Sequence, residues 1–92
     1  MTFKTRNQGV AALLRYLHGP AAHLRTYLEP KGATFELDDP TGESQAVIRQ
    51  YHRDDGGTGF ATADAKALIE EFVEVRKTLT AAIAAGGEWK NQ

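Results

Sequence analysis

His18, His23 and His52 are the three histidines of this 92-residue chain, and their spacing decides which metal chemistry they support. No two are four apart, the interval that sets a pair of imidazoles on one helical face. Gly19-Pro20 separates His18 from His23, so only the tertiary fold can bring those rings together. His52 stands with Asp54 and Asp55, but Asp54-Asp55-Gly56-Gly57 has the composition of a turn, where short acidic side chains bond their own backbone. Taken as a calcium loop from Asp54, the third position is Gly56 and the twelfth is Ala65, where a bidentate glutamate is required. Ser44 is the single serine, eight residues from His52, and cysteine is absent, so nucleophilic catalysis has little to work with. Glu70-Glu71 and Asp38-Asp39 read as solvated carboxylates, and Gly56-Gly57-Thr58-Gly59 lacks the lysine of a phosphate-binding loop. The residues predict no metal, no cofactor and no enzymatic activity.

Charge offers more. The formal net charge is −1, which argues against generic polyanion binding, yet its distribution is uneven. Residues 1–34 carry five basic side chains against Glu29 alone, whereas residues 35–92 carry six against eleven acidic ones. Such asymmetry marks either a bipolar surface that recognises a charged partner or two halves that attract each other within the fold. If the segment from Ala22 to Glu29 is a strand, His23, Arg25 and Tyr27 share its outward face, joined by Arg6, Arg15 and Lys31. A basic surface carrying an aromatic ring can follow phosphates and stack a base, which makes these six residues the candidate nucleic-acid contacts.

The elements that must position these groups follow from periodicity. Ninety-two residues suit one domain with a modest core, read as residues 1–87 followed by a tail over 88–92. No stretch is long and apolar enough for a membrane helix, the first residues lack the apolar run of a secretion signal, and zero cysteines fit a cytoplasmic location. Phe3 to Thr5 reads as a short strand or an extended lead-in. Asn7 caps a first helix to about His18, with Val10, Leu13, Leu14 and Leu17 on its buried face and Gly19-Pro20 as its stop. Alternation over 22–29 and 34–38 about a Glu29-Pro30-Lys31-Gly32 turn predicts a hairpin over about 22–38, with Leu24, Leu28, Phe35 and Leu37 inward. Residues 43–53 satisfy both the helical and the strand period; we read a helix, with a strand as the alternative. The fold class is α+β, a small antiparallel sheet with an N-terminal helix and a long C-terminal helix. With a strand at 43–53 the element order would instead be similar to that of small single-stranded DNA-binding coactivator domains.

The C-terminal helix is the strongest periodic signal. From Thr62 to Ala85 its apolar residues Ala61, Ala65, Leu68, Phe72, Val75, Leu79 and Ala82 alternate four and three apart, flanked by Ile69 and Ile83. This is the spacing of a coiled-coil seam. We expect its first half to pack at home and its second half to meet a partner, with Phe72, Val75, Leu79, Ala82, Ile83 and Trp89 as the protein interface. The partner is a second copy, in a homodimer, or an unidentified protein. Phe3-Lys4-Thr5 running into Val10-Ala11-Ala12-Leu13-Leu14, then Phe35-Glu36-Leu37-Asp38, then Ala63-Asp64-Ala65-Lys66 before Leu68 and Phe72, form an order of signals. That order resembles a family of short prokaryotic and phage-borne proteins classed as a domain of unknown function. The resemblance implies a prokaryotic or phage origin and no activity. The expected function is therefore that of a small accessory protein acting by protein binding, with a nucleic-acid-binding module as the alternative.

Overall fold

The structure is a computed structural model that describes residues 1–40, 42, 44–46, 49 and 65–91. Strand β1 (Thr2–Thr5) leads into helix α1 (Gln8–His18). Asn7 caps α1 as its sequence position predicts, its Oδ1 accepting the Val10 N–H at 3.1 Å. This satisfies one of the amides that a helix start leaves open. Replacing Asn7 with Ala should therefore cost about 1 kcal/mol in a urea titration, and Asn7→Asp should cost less than half of that. At the other end Gly19 takes a φ of 91°, which the helix stop requires and other residues rarely adopt.

One 3-10 turn (Pro20–Ala22) leads to strand β2 (His23–Glu29), and Pro30-Lys31 turns the chain into β3 (Gly32–Asp38). The hairpin is the predicted one, but the first residues of its inward face are not. Between His23 and Arg25 the register against β3 slips by one residue, because Leu24 is an extra residue in β2. Such a bulge reverses the alternation on either side of it. His23, expected outward, thus points inward beside Thr26, and both are fully buried; Leu28 keeps the face of Thr26, as expected, but lies near the hairpin end and is 40% exposed. Phe35 and Leu37 of β3 are buried as predicted.

Helix α2 (Ala65–Ala84) is followed by β4 (Glu88–Lys90). The Gly86 amide bonds Ile83 O and the Gly87 amide bonds Ala82 O, the paired bonds of a helix end closed by a left-handed glycine. That reversal returns the chain to the sheet, where Glu88, Trp89 and Lys90 pair with Tyr27, Thr26 and Arg25. The segment 88–92 is therefore no tail: its first three residues form an edge strand. The four strands run antiparallel in the order β1-β3-β2-β4.

Both helices pack on the face that carries His23, Thr26, Phe35 and Leu37. The core joins Val10, Ala11, Ala12 and Leu14 of α1, Phe35 and Leu37 of β3, and Val75 of α2, with Phe3, Ala33 and Leu68 against them. Leu17, predicted inside, is 48% exposed, because the buried arc of α1 turns instead toward Ala11 and Arg15. Ser44–Ala46 and Arg49 are helical, in keeping with the helix read over 43–53. The rest of that segment, the Asp54–Gly59 turn, His52 and the Thr62 cap lie outside the described residues.

Candidate functional site

Helix α2 buries Leu68, Val75 and Ala82 of the stripe its apolar residues suggest, but turns Glu71 and Thr78 inward in place of Phe72 and Leu79. Val75, Thr78 and Ala82 face the core, Leu68 packs against it, and Glu71 turns the same way. Two polar side chains hold inward positions because each has a buried partner: Glu71 meets Arg15, and Thr78 meets Thr26. This turns Ile69, Val73 and Ile83 outward, at 64%, 46% and 61% exposure, with Phe72 at 36%. Of the six residues expected at an interface, Val75 and Ala82 are therefore corrected: both are core, with no surface to offer. Leu79 and Trp89 are half-buried, and Phe72 and Ile83 are exposed.

Ile69, Phe72 and Ile83 of this set, with exposed Arg76 and half-buried Leu79, have a regular spacing of their own. Ile69, Phe72, Arg76, Leu79 and Ile83 follow one another at three, four, three and four residues, a seam beside the buried stripe. At its N-terminal end the seam borders a groove of about 310 Å³ between the helices, walled by Gly9, Ala12 and Leu13 of α1 and by Leu68, Ile69, Phe72 and Val73 of α2. Every lining side chain is apolar. The sequence signal for this seam was the flanking pair Ile69 and Ile83, set beside the stripe that reads as the seam.

Beneath the helices runs a directed chain of hydrogen bonds. Glu71 Oε2 accepts from Arg15 Nε at 2.8 Å, and Arg15 Nη1 donates to His23 Nδ1 at 2.8 Å. A guanidinium has no acceptor, so Nδ1 bears the lone pair and the ring proton sits on Nε2. Nε2–H then donates to Thr26 Oγ1 at 2.8 Å. The Thr78 hydroxyl spends its proton on Val75 O at 2.7 Å, so the Thr26 hydroxyl donates to Thr78 Oγ1 at 2.9 Å. Among the described residues no buried side-chain nitrogen or oxygen of this line lacks a partner, and the line ties α1, β2 and α2 together. Trp89 closes over His23 with ring centres 4.9 Å apart, and Phe35 meets the imidazole edge-on at 6.0 Å. Burial first, and the Arg15 charge second, lower the His23 pKa to about 4. The ring is neutral at pH 7 and does structural work.

This arrangement divides the six expected nucleic-acid contacts. Arg15 and His23 are buried on the helix side, which corrects their assignment to an outward basic face. Arg25 and Tyr27 lie on the opposite face of the sheet, Arg6 beyond the end of β1, and Lys31 in the exposed hairpin turn. Across that opposite face the charges alternate. Lys4 reaches Glu36 at 3.9 Å, Arg25 bonds Glu36 at 3.1 Å and Glu88 at 3.2 Å, and Lys90 reaches Glu88 at 4.0 Å. The hydrogen bonds that Arg25 donates to Glu36, then to Glu88, raise its pKa and keep it charged. Arg6 pairs with Glu29 at 3.0 Å, and the Tyr27 ring lies beneath Arg25 and Lys4 at 5.1 and 6.0 Å. Much of the basic excess of the first third is thus matched by carboxylates within the fold. Among the described residues no group of acidic and histidine side chains has the arrangement of a metal site, and no helix is long and apolar enough to cross a membrane. Compared with protein-family models, curated proteins and solved structures, the chain matches none.

Proposed function

We propose that this is a small, non-enzymatic accessory protein that acts by protein binding and forms a homodimer through α2. The observation that carries the reading is the exposed seam of α2 beside an apolar groove. Exposed Ile69, Phe72, Val73 and Ile83 amount to roughly 400 Å² of mostly carbon surface, the size at which a patch on a monomer is commonly an interaction site. Two such patches, with the Arg76 stem, Leu79 and a polar rim, reach the roughly 1,200 Å² at which specific interfaces begin. The reading includes a cytoplasmic location, which the cysteine-free composition supports, in a prokaryotic or phage-encoded setting.

The nucleic-acid alternative has weaker support, because the cations of the open sheet face are interleaved with Glu36 and Glu88. A polyanion would have to displace those carboxylates to reach Arg25 and Lys4.

Sedimentation velocity between about 1 and 200 μM tests the reading. Wild type should reach twice the chain mass of 10.1 kDa, and the Ile69→Asp/Ile83→Asp variant should stay at that mass with an unchanged circular dichroism spectrum. A wild-type protein that remains monomeric at the highest concentration would sink the homodimer. Salt-sensitive binding of single-stranded DNA, abolished by Arg25→Glu, would favour the alternative instead.

A further inference from the structure

We infer that the two copies pair through antiparallel α2 helices, so that the C-terminal half of each seam lies on the groove at the N-terminal half of its partner. The inference rests on the homodimer reading and adds its geometry. Three features of α2 carry it.

The groove and the projecting residues lie at opposite ends of the same helix. The groove is walled by Leu68, Ile69, Phe72 and Val73, whereas Ile83, 61% exposed, lies more than two turns beyond it. A symmetric dimer uses one patch twice, with each copy's projection meeting the other's recess. Parallel helices in register would set groove against groove and Ile83 against Ile83. Antiparallel helices set Arg76 and Leu79 of each copy toward the groove of the other, with Ile83 at its outer end, and both recesses are covered by one two-fold operation.

The seam also holds one charge. Arg76 occupies its central position, between Phe72 and Leu79. In a parallel, in-register pair two guanidinium groups would face each other while losing water, an arrangement that costs far more than either loses alone. An antiparallel crossing centred between Phe72 and Arg76 separates them. Each guanidinium then lies over the exposed ring of the partner's Phe72, the favourable arrangement of a cation on an aromatic face. In the same register Ile69 meets the partner's Leu79.

The exposed surface is large enough for this pairing. The helix is on the order of 30 Å long, and the seam from Ile69 to Ile83 spans about 20 Å of it. That length of helix pairing, with the groove filled, covers the carbon surface counted above.

The absence of cysteine allows a clean test, because an introduced thiol is the only one present. Ile69→Cys and Leu79→Cys are prepared separately, oxidised alone and as a mixture, and weighed by mass spectrometry, with one variant isotopically labelled. A disulfide forms only where the two Cα atoms come within about 7 Å. The antiparallel arrangement gives little crosslink in either variant alone and a mixed-label dimer on combination. Efficient crosslinking within each single variant would overturn the antiparallel order while leaving self-association intact, as would a dimer by sedimentation that gives no crosslink. A monomer by sedimentation would remove this inference together with the homodimer reading. As a second measurement, Arg76→Ala should weaken dimerisation about tenfold, since two symmetric contacts with Phe72 are lost. A dimer tightened by Arg76→Ala would show that the guanidinium groups oppose each other, and would overturn the proposed register.

Discussion

Acidification from pH 7 to pH 4 should destabilise the fold by about 3 kcal/mol through His23 alone. In the unfolded chain this imidazole takes up its proton near the ordinary value of 6.5, in the folded protein only near 4. Between those values the unfolded state binds more protons, so each step down in pH favours unfolding. The stabilisation is complete well above pH 6.5, shrinks as the pH falls from there through 4, and levels off once the folded ring is protonated well below 4. The structural cause is the direction of the hydrogen-bond chain. Nδ1 must accept from Arg15, and a proton placed there would aim an N–H at a guanidinium that has only donors. Glu71 lies on the far side of Arg15 and shares its charge, while Trp89 and Phe35 offer the ring no carboxylate. Urea titrations at pH 7, 5.5 and 4 measure the effect, and His23→Gln, which keeps an acceptor and a donor but does not titrate, should flatten it. An equal loss of stability in that variant would assign the pH dependence to other groups.

Replacing Arg15 with Met should cost about 3 kcal/mol at pH 7, the second large effect we expect. Arg15 is 6% exposed, and its guanidinium is the partner both of the Glu71 carboxylate and of His23 Nδ1. Methionine fills a similar volume, so the loss reports the two abandoned acceptors rather than a cavity. Glu71 retains some access to water, which holds the cost at the lower end for a broken buried pair. The same variant should raise the His23 pKa toward its ordinary value, because the Arg15 charge is the second contribution to lowering it. An NMR titration of the imidazole reads that change independently of stability. Adding Glu71→Gln to Arg15→Met should restore part of the loss, since the pair acts as a unit and the two changes are not additive. A cost below about 1 kcal/mol for Arg15→Met would mean that the line of hydrogen bonds contributes little to the fold.

The sequence by itself determined the elements whose signals are local. Asn7 as a cap, Gly19-Pro20 as a stop, the hairpin around Pro30-Lys31 and the long apolar periodicity of α2 all act within a few residues of chain, and each stands where those residues predict it. Other features depend on partners distant in sequence, and only the tertiary structure decided them. The extra Leu24 turned His23 inward, onto the face of Thr26, because a bulge is fixed by the neighbouring strand and leaves no mark in the pattern of one strand. Trp89 became part of an edge strand because two glycines reverse the chain onto β2, although three residues are too few to show a period. The inward face of α2 was set by Arg15 and Thr26, 56 and 52 residues away from Glu71 and Thr78, against the hydrophobicity of its own sequence. Periodicity weighs each residue by its apolar surface, whereas a buried hydrogen bond draws a polar residue inward when its partner is already there. That difference exposes Ile69, Val73 and Ile83 together, and it places the candidate interface beside the stripe that periodicity alone selects.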